Sequence, residues 1–312
     1  MAQAQTLIED TIDEIIDVTD PEPDYMYNSV FKVSDMPRGQ HVVYRRAGLD
    51  RPSPRVVLQD LAPVNFKEGS KQTVDPLLWG AQFAVAKETI KDVADAGPHD
   101  GDTVAKLLDF SNFTSEMKHT AFWRVDTECA DKLLNCTSTD TKYLGLDGLA
   151  LASAAHLGLD NPQTSQSNLS TGAAFTPSVV MAGISAMNTQ RDDRGNLMRA
   201  PKKWKVVTTE ANRWKCDEIF DTEKAVYSAE NQKNPLYKIR GDIERVIWNE
   251  LGPTYTGWFI LGEGHKLQWK WRDHPEFSKD SDFSANALKY GMTMRGVPFH
   301  DDWRKVICYP SS

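Results

Sequence analysis

From Asp102 to Cys136 the chain runs 35 residues without a proline or a glycine, and that stretch limits what the fold can be. Val104, Leu107, Leu108, Met117, Ala121, Val125, Cys129 and Leu133 form one apolar stripe. The four-residue steps from Ala121 to Leu133 match the helical repeat. Asp102 follows Gly101 in an N-cap position. Fully helical, the stretch spans about 50 Å, long for a globular helix and suited to a structural spine. Ser111 and Asn112, both poor helix formers, mark where it would break. Val125 and Cys129 are expected to face a sheet.

Around this helix the pattern is mixed α and β. Residues 25–40 read as extended, and His41–Tyr44 and Val56–Leu58 as short strands. An apolar stretch follows from Val74 to Val85. Between them, Asn65 to Gln72 reads as a charged turn with Gly69 at its centre. Residues 53–85 are therefore expected to form a hairpin projecting from the body, with residues 66–71 at its tip. Hairpins alone are marginal in water, so a partner surface is expected to support it. Lys87–Ala94 reads as a short helix. Further on, helices are expected over Pro177–Asn188 and Asn212–Tyr227, and strands over Trp204–Thr208, Ile243–Trp248 and Tyr255–Leu261. Phe277–Ser284 reads as loop. Lys289–Val297 and Trp303–Cys308 close the chain as strands separated by Pro298.

The charge is unevenly placed. Residues 1–24 hold eight acids and no base, which leaves 36 acids and 36 bases in the remainder. No basic stripe is evident to hold nucleic acid by phosphate neutralisation, which argues against a DNA-binding packaging protein. Leu7, Ile8, Ile12, Ile15 and Ile16 recur at helical spacing among those acids, and Pro21 and Pro23 end the pattern. This short amphipathic helix is expected to dock by its isoleucine face on its own or a neighbouring subunit. No stretch approaches the roughly 20 apolar residues of a membrane span. The N-terminus lacks a secretory pattern, so folding in a cytosol is expected.

Reactive chemistry is hard to find. The four cysteines have no metal-ligand spacing and read as buried free thiols. No phosphate-binding loop, nucleophile elbow, dinucleotide fingerprint or metalloprotease motif occurs. No catalytic, cofactor or metal residues are therefore assigned. Among seven histidines, His265 and His274 near Asp273 and Glu276 form the best cluster, and they read as surface residues. Asp192-Asp193, flanked by Arg191 and Arg194, reads as a solvated loop. Trp258, Phe259, Trp269 and Trp271 read as strand-borne core or subunit contacts rather than a base- or sugar-stacking platform.

The order of these segments resembles the major capsid protein of tailed phages, the Hong Kong 97 fold, and within it the Mu-like major head subunits. Lys67-Glu68-Gly69 resembles the E-loop, and Asp102–Cys136 with Leu133-Leu134-Asn135 the spine and its ending. Asp147-Gly148-Leu149-Ala150-Leu151 through Ala155-His156 resembles the Mu-like segment that follows. Pro201–Thr208 resembles the buried axial strand, and Tyr290–Arg295 the late return strand. Ser167–Ser170 and Gln190–Asn196 complete the ordered series.

The resemblance implies an α+β fold with residues 1–40 as N-terminal arm and 41–86 as E-loop with flanking strands. It makes 87–145 a peripheral domain carrying the 102–136 spine, 146–264 an axial domain, and 265–312 returning peripheral strands. It implies a shell subunit that forms hexamers and pentamers around double-stranded DNA. Phe66, Lys67, Glu68, Gly69 and Lys71 would meet neighbours at the E-loop tip, and Ile8, Ile12, Ile15 and Ile16 through the arm. Copies of the chain, a separate scaffolding protein, a portal and a decoration protein are the implied partners, with no membrane and no cofactor. The location implied is the virion capsid, assembled in host cytoplasm. Some relatives join an E-loop lysine to a neighbour's asparagine; Lys67 and Lys71 are placed for this, but no partner asparagine is identifiable and no cross-link is expected. The contrasting reading is a soluble α/β hydrolase using an acid of the 191–194 turn with His156 or His265.

Overall fold

The computed structural model of the chain describes residues 25–37, 39–48, 60, 67–88, 101–160, 165–171, 174–224 and 233–311; side chains are described from residue 116 onward within the long helix. The N-terminal helix with Ile8, Ile12, Ile15 and Ile16, the Val56–Leu58 strand, Phe66 and most of the Lys87–Ala94 helix lie outside the described residues. In chain order the elements are α1 (Tyr27–Val30), β1 (Lys32–Asp35), β2 (His41–Ala47), β3 (Lys67–Val74), β4 (Leu77–Ala86) and α2 (Gly101–Leu134). Then come β5 (His156–Leu157), β6 (Ser165–Gln166), α3 (Pro177–Asn188), β7 (Trp204–Thr208), α4 (Arg213–Asp221) and α5 (Pro235–Ile239). The chain closes with β8 (Ile243–Ile247), β9 (Trp258–Gly262), β10 (Leu267–Asp282), β11 (Ala287–His300) and β12 (Val306–Tyr309).

Two four-stranded sheets carry the architecture, in the orders β1-β10-β11-β4 and β12-β9-β7-β8. The second is buried on both faces, and its alternation shows why. On β9, Trp258 and Ile260 point to a cluster with Val180, Met187, Cys216 and Phe220 of α3 and α4, whereas Phe259 and Leu261 point to the spine side. A strand covered on both faces is apolar throughout rather than alternating, as Trp258–Leu261 is in sequence.

The spine α2 is one continuous helix of 34 residues, with no break at Ser111-Asn112. Ala121, Val125, Cys129 and Leu133 are fully buried, in one cluster with Trp269, Trp271, Met292 and Met294 of the first sheet and Val207 and Phe259 of the second. The expected sheet beneath Val125 and Cys129 is therefore two sheets meeting on one helix. Asp126 fastens a third partner there. Its Oδ1 accepts the Tyr27 backbone N–H at 2.8 Å and its Oδ2 the Trp248 indole N–H at 3.0 Å. This draws α1 and the end of β8 onto the spine. Residues 25–40, expected to be extended throughout, thus contain a helical turn at Tyr27–Val30.

Several boundaries differ from the sequence reading for local reasons. Phe277–Ser284 is not a loop: β10 continues to Asp282, because each residue from Glu276 pairs with a residue of β11. Polar composition there reflects exposure on both faces, not absence of a ladder. Pro298 does not end β11. The pairing with β4 stops at Gly296–Leu77, so Pro298 faces only β10 and its missing N–H breaks no bond on the other side. The Asn212–Tyr227 helix stops at Asp221, where the Asn234 side-chain amide donates to the carbonyls of Ile219 at 2.6 Å and Thr222 at 3.0 Å. Those bonds satisfy orphan carbonyls of the helix end.

Two predictions follow from the spine. Asp126→Ala strands two buried donors and should lower stability by about 3 kcal/mol in denaturant unfolding, with Asp126→Asn, which keeps one acceptor, in between. Lys132 is also buried, with Nζ donating to the Lys142 carbonyl at 3.3 Å. Burial, then the Lys142 charge, lowers its pKa to about 7. Because this folded value lies below that of a free lysine, its charge costs stability below about pH 7, and the cost fades as pH rises toward about 10.4. Lys132→Met should therefore raise Tm at pH 6, and by a smaller margin at pH 9.

Candidate assembly surfaces

β2 and β3 form a separate antiparallel pair, running from His41–Val74 to Ala47–Lys67. Lys67, Glu68, Gly69 and Lys71 therefore lie in a strand, not at a tip. The connection between the two strands is 48–66, largely outside the described residues. The sequence misplaced the turn because Lys67–Gln72 is polar on both faces, a pattern that a two-sided exposed strand shares with a loop. Nor does the expected 53–85 hairpin include Leu77–Ala86, which leaves to pair with β11 in the first sheet.

The base of this pair is supported by its own chain. Gln72 Nε2 donates to the Leu144 carbonyl at 3.2 Å, and the Ser70 hydroxyl donates to the Leu146 carbonyl. Lys67 meets Asp160 at 3.1 Å, an exposed pair of little energetic weight. Gly69 fits a close contact rather than a turn: a Cβ there would come within 2.8 Å of Leu159 Cδ1 and 3.2 Å of the Arg45 carbonyl. Met36, Val74, Leu146, Val297 and Phe299 make a small apolar cluster under the same base.

The Gln190–Asn196 motif is the clamp. Asp192 closes its own turn by accepting the N–H groups of Arg194 at 2.9 Å and Asn196 at 2.8 Å. Asp193, expected to be solvated, is instead half-buried between Arg45 of β2 at 2.6 Å and Arg304 at 3.0 Å, and accepts Leu159 N–H at 3.2 Å. Burial alone would raise its pKa, but the Arg304 and Arg45 charges outweigh it and hold the carboxyl below its ordinary value. Arg304 also donates to the Arg191 carbonyl at 2.8 Å, and Gln190 accepts Lys305 N–H at 2.7 Å. One seven-residue motif thus joins the hairpin to the approach to β12. Arg45 and Arg304 carried no sequence signal, since isolated arginines in loops and strands are common.

The histidines separate into buried and exposed. His156 is fully buried, stacked on Trp303 with centroids 4.1 Å apart, its Nδ1 2.6 Å from Asp147 and its Nε2 3.2 Å from Asn168. Asn168 in turn accepts Ser153 N–H at 2.9 Å and donates to the Leu151 carbonyl at 2.7 Å. The segments Asp147–His156 and Ser167–Ser170 are therefore a hydrogen-bonded structural knot. His274 is exposed and pairs with Asp35 at 2.9 Å. His265, expected at the surface, is half-buried, and burial followed by Lys205 and Lys305 lowers its pKa to about 4. These placements do not favour the hydrolase reading. Asp193 is committed to two arginines, and both His156 nitrogens face groups that hold the ring in place. Among the described residues no cluster of three or more acidic, histidine or cysteine side chains fits a metal.

What reaches solvent is apolar at particular points. Phe283 stands 98% exposed in the turn joining β10 to β11, a turn fixed by Asp282 accepting Ser284 N–H at 2.9 Å and by Asn286 at φ 47°. Trp214 on α4 is 78% exposed, and Leu78 on β4 and Tyr44 on β2 are also exposed. Trp258, Phe259, Trp269 and Trp271, by contrast, are core.

The fold is thus a spine helix beneath two sheets, with β4, β10 and β11 running on from the first sheet and a separate β2–β3 hairpin. A chain of the cyanophage P-SCSP1u capsid matches with TM-score 0.57 at 11% identity, covering 95% of this chain and 90% of that one. The mature capsid of bacteriophage PhiM1 gives 0.52 at 12% identity over 90% and 85%, and the capsid of Myoviridae phage XM1 0.51 at 9% over 92% and 92%. No protein-family model matches the sequence, and no curated protein matches it. The chain has the α+β Hong Kong 97-type capsid fold.

Asp193→Ala leaves Arg45 and Arg304 without their shared partner. It should cost about 3 kcal/mol and raise hydrogen exchange in 41–47 and 67–74 above that of β9. Because the folded pKa is depressed, the stability Asp193 contributes is present at neutral pH and lost as pH falls below about 4. The hairpin strands should therefore deprotect in acid before the spine does.

Proposed function

We propose that this chain is the major capsid protein of a tailed phage or prophage, assembling through hexamers and pentamers into an icosahedral shell around double-stranded DNA. The observation that carries the reading is the likeness in fold, along more than nine-tenths of the chain, to capsid subunits of phages. The surfaces support it. A rigid helical spine and a hairpin exposed on both faces offer several separated contacts, and many weak contacts give steep assembly. The Mu-like affinity rests on the Asp147–Leu151 and Ala155-His156 segments alone.

In this reading residues 1–40 are the arm, 41–86 the E-loop and its flanking strands, 87–145 the peripheral domain, 146–264 the axial domain and 265–312 the returning strands. Ile8, Ile12, Ile15 and Ile16 dock on a subunit surface. Phe66 belongs to the stretch joining β2 and β3, which reaches a neighbour, while Lys67, Glu68, Gly69 and Lys71 act nearer the body. Partners are other copies, a separate scaffolding protein, a portal and a decoration protein. The shell belongs to the virion and assembles in host cytoplasm. No helix among the described residues is long and apolar enough to cross a membrane.

Expressed protein should elute as hexamers or particles in size-exclusion and show shells by electron microscopy; a stable monomer at all concentrations would refute the reading. Phe283→Ser should cut particle yield severalfold while changing subunit stability by less than about 0.5 kcal/mol, as an exposed contact residue would.

A further inference from the structure

Four bases fall within the seven residues from Arg199 to Lys205, with no acid among them. The fold adds a fifth. The turn between β9 and β10 lies against the start of β7, since Glu263 N–H donates to the Lys203 carbonyl at 2.9 Å, and Lys305 Nζ donates to the Glu263 carbonyl at 2.9 Å. Arg199, Lys202 and Lys305 line one shallow cleft, and Lys203 and Lys205 line the adjoining one. Arg199, Lys202 and Lys203 are exposed, and no ion pair or side-chain hydrogen bond with a described residue engages them. Glu263, Asp242 and Glu244 border the clefts, and Glu244 is already taken by Lys205 at 3.0 Å. The surface is therefore net positive on a chain whose overall charge is −8. Four of the five bases are local in sequence, and the fold adds only Lys305.

The chain itself delivers acid to this place. Lys205 Nζ donates to the Ser29 carbonyl at 2.7 Å, so the N-terminal segment enters the described region beside the cleft. Tyr25, four residues before Ser29, packs on the spine with its ring centroid 5.5 Å from that of His119. The eight residues before it are Asp17-Val18-Thr19-Asp20-Pro21-Glu22-Pro23-Asp24, with four acids and no base. Pro21 and Pro23 keep this stretch out of a helix. In extended backbone, Asp20, Glu22 and Asp24 alternate and share one side. Eight residues reach at most ~28 Å.

We propose that the acidic stretch Asp17–Asp24 docks, in the same chain, on the basic cleft formed by Arg199, Lys202, Lys203, Lys205 and Lys305. Tethering makes the contact intramolecular, so individually weak exposed ion pairs suffice at millimolar effective concentration. The inference goes beyond the shell reading and does not require it.

The test is zero-length carbodiimide coupling of the full-length chain, using an equal mixture of nitrogen-14 and nitrogen-15 protein, read by mass spectrometry. Lys202, Lys203 or Lys305 should couple to Asp20, Glu22 or Asp24 in single-isotope pairs, and 0.5 M salt during coupling should reduce the yield severalfold. The triple change Arg199→Glu, Lys202→Glu, Lys203→Glu should lower protection of residues 17–24 from hydrogen exchange at least tenfold. Adding Asp20→Lys, Glu22→Lys and Asp24→Lys should restore it. Mixed-isotope pairs would make the occupant a neighbouring copy and overturn same-chain docking. Absence of coupling at these lysines, or protection unchanged in the triple variant, would overturn the contact altogether. Particles seen without coupling would defeat this inference alone, and coupling without particles would defeat only the shell reading.

Discussion

Ala121, Val125, Cys129 and Leu133 lose all contact with solvent because two sheets meet on one side of a single helix. Everything else hangs from that junction. The first sheet brings Trp269 and Trp271 to it, the second brings Val207 and Phe259, and Asp126 ties α1 and Trp248 onto the same turns. Apolar burial supplies most of the favourable free energy, at about 25 cal/mol per Å². The two bonds to Asp126 add direction, since a carboxylate with one acceptor oxygen for each donor accepts only one arrangement of its neighbours. A spine shared by two sheets is also stiff, because neither sheet can move along it without opening the core.

The hairpin is held differently. Its base has few buried side chains, and its attachment depends on polar groups: Asp193 between two arginines, and backbone carbonyls of Leu144 and Leu146 accepting from Gln72 and Ser70. Such an attachment is specific in geometry and sensitive to charge. The body is held by its core, while the hairpin's pose is set by a small polar clamp that acid or a single substitution loosens.

The knot around His156 has the same logic on a smaller scale. Asp147 and Asn168 engage the two imidazole nitrogens and Trp303 stacks on one face, and the same segments carry Leu151 and Ala152 into the core. Polar residues that look poised for chemistry in the sequence are here spent on closing irregular backbone, where buried N–H and C=O groups need partners. Cys136 and Cys308, far apart in sequence, meet in the same core as thiols, each pKa effect on Cys308 arising from burial first and Cys136 next.

The sequence by itself determined the elements whose burial is periodic. The spine, Pro177–Asn188 and Trp204–Thr208 were legible to within a residue or two, because a stripe at 3.6 or a run covered on both faces is written locally. The capsid fold was legible from the order of such segments. The location of the hairpin turn, the course of β10 through Phe277–Asp282 and the burial of Asp193 were not. Lys67–Val74 and Glu276–Asp282 are strands exposed on both faces, so no apolar period distinguishes them from loop, and only their ladders with β2 and β11 make them strands. Asp193 is withdrawn from solvent, though not fully, because Arg45 and Arg304, 148 and 111 residues away, arrive on either side of it. Tertiary structure alone decided such pairings, since a charge becomes buried only where distant charges are brought to meet it.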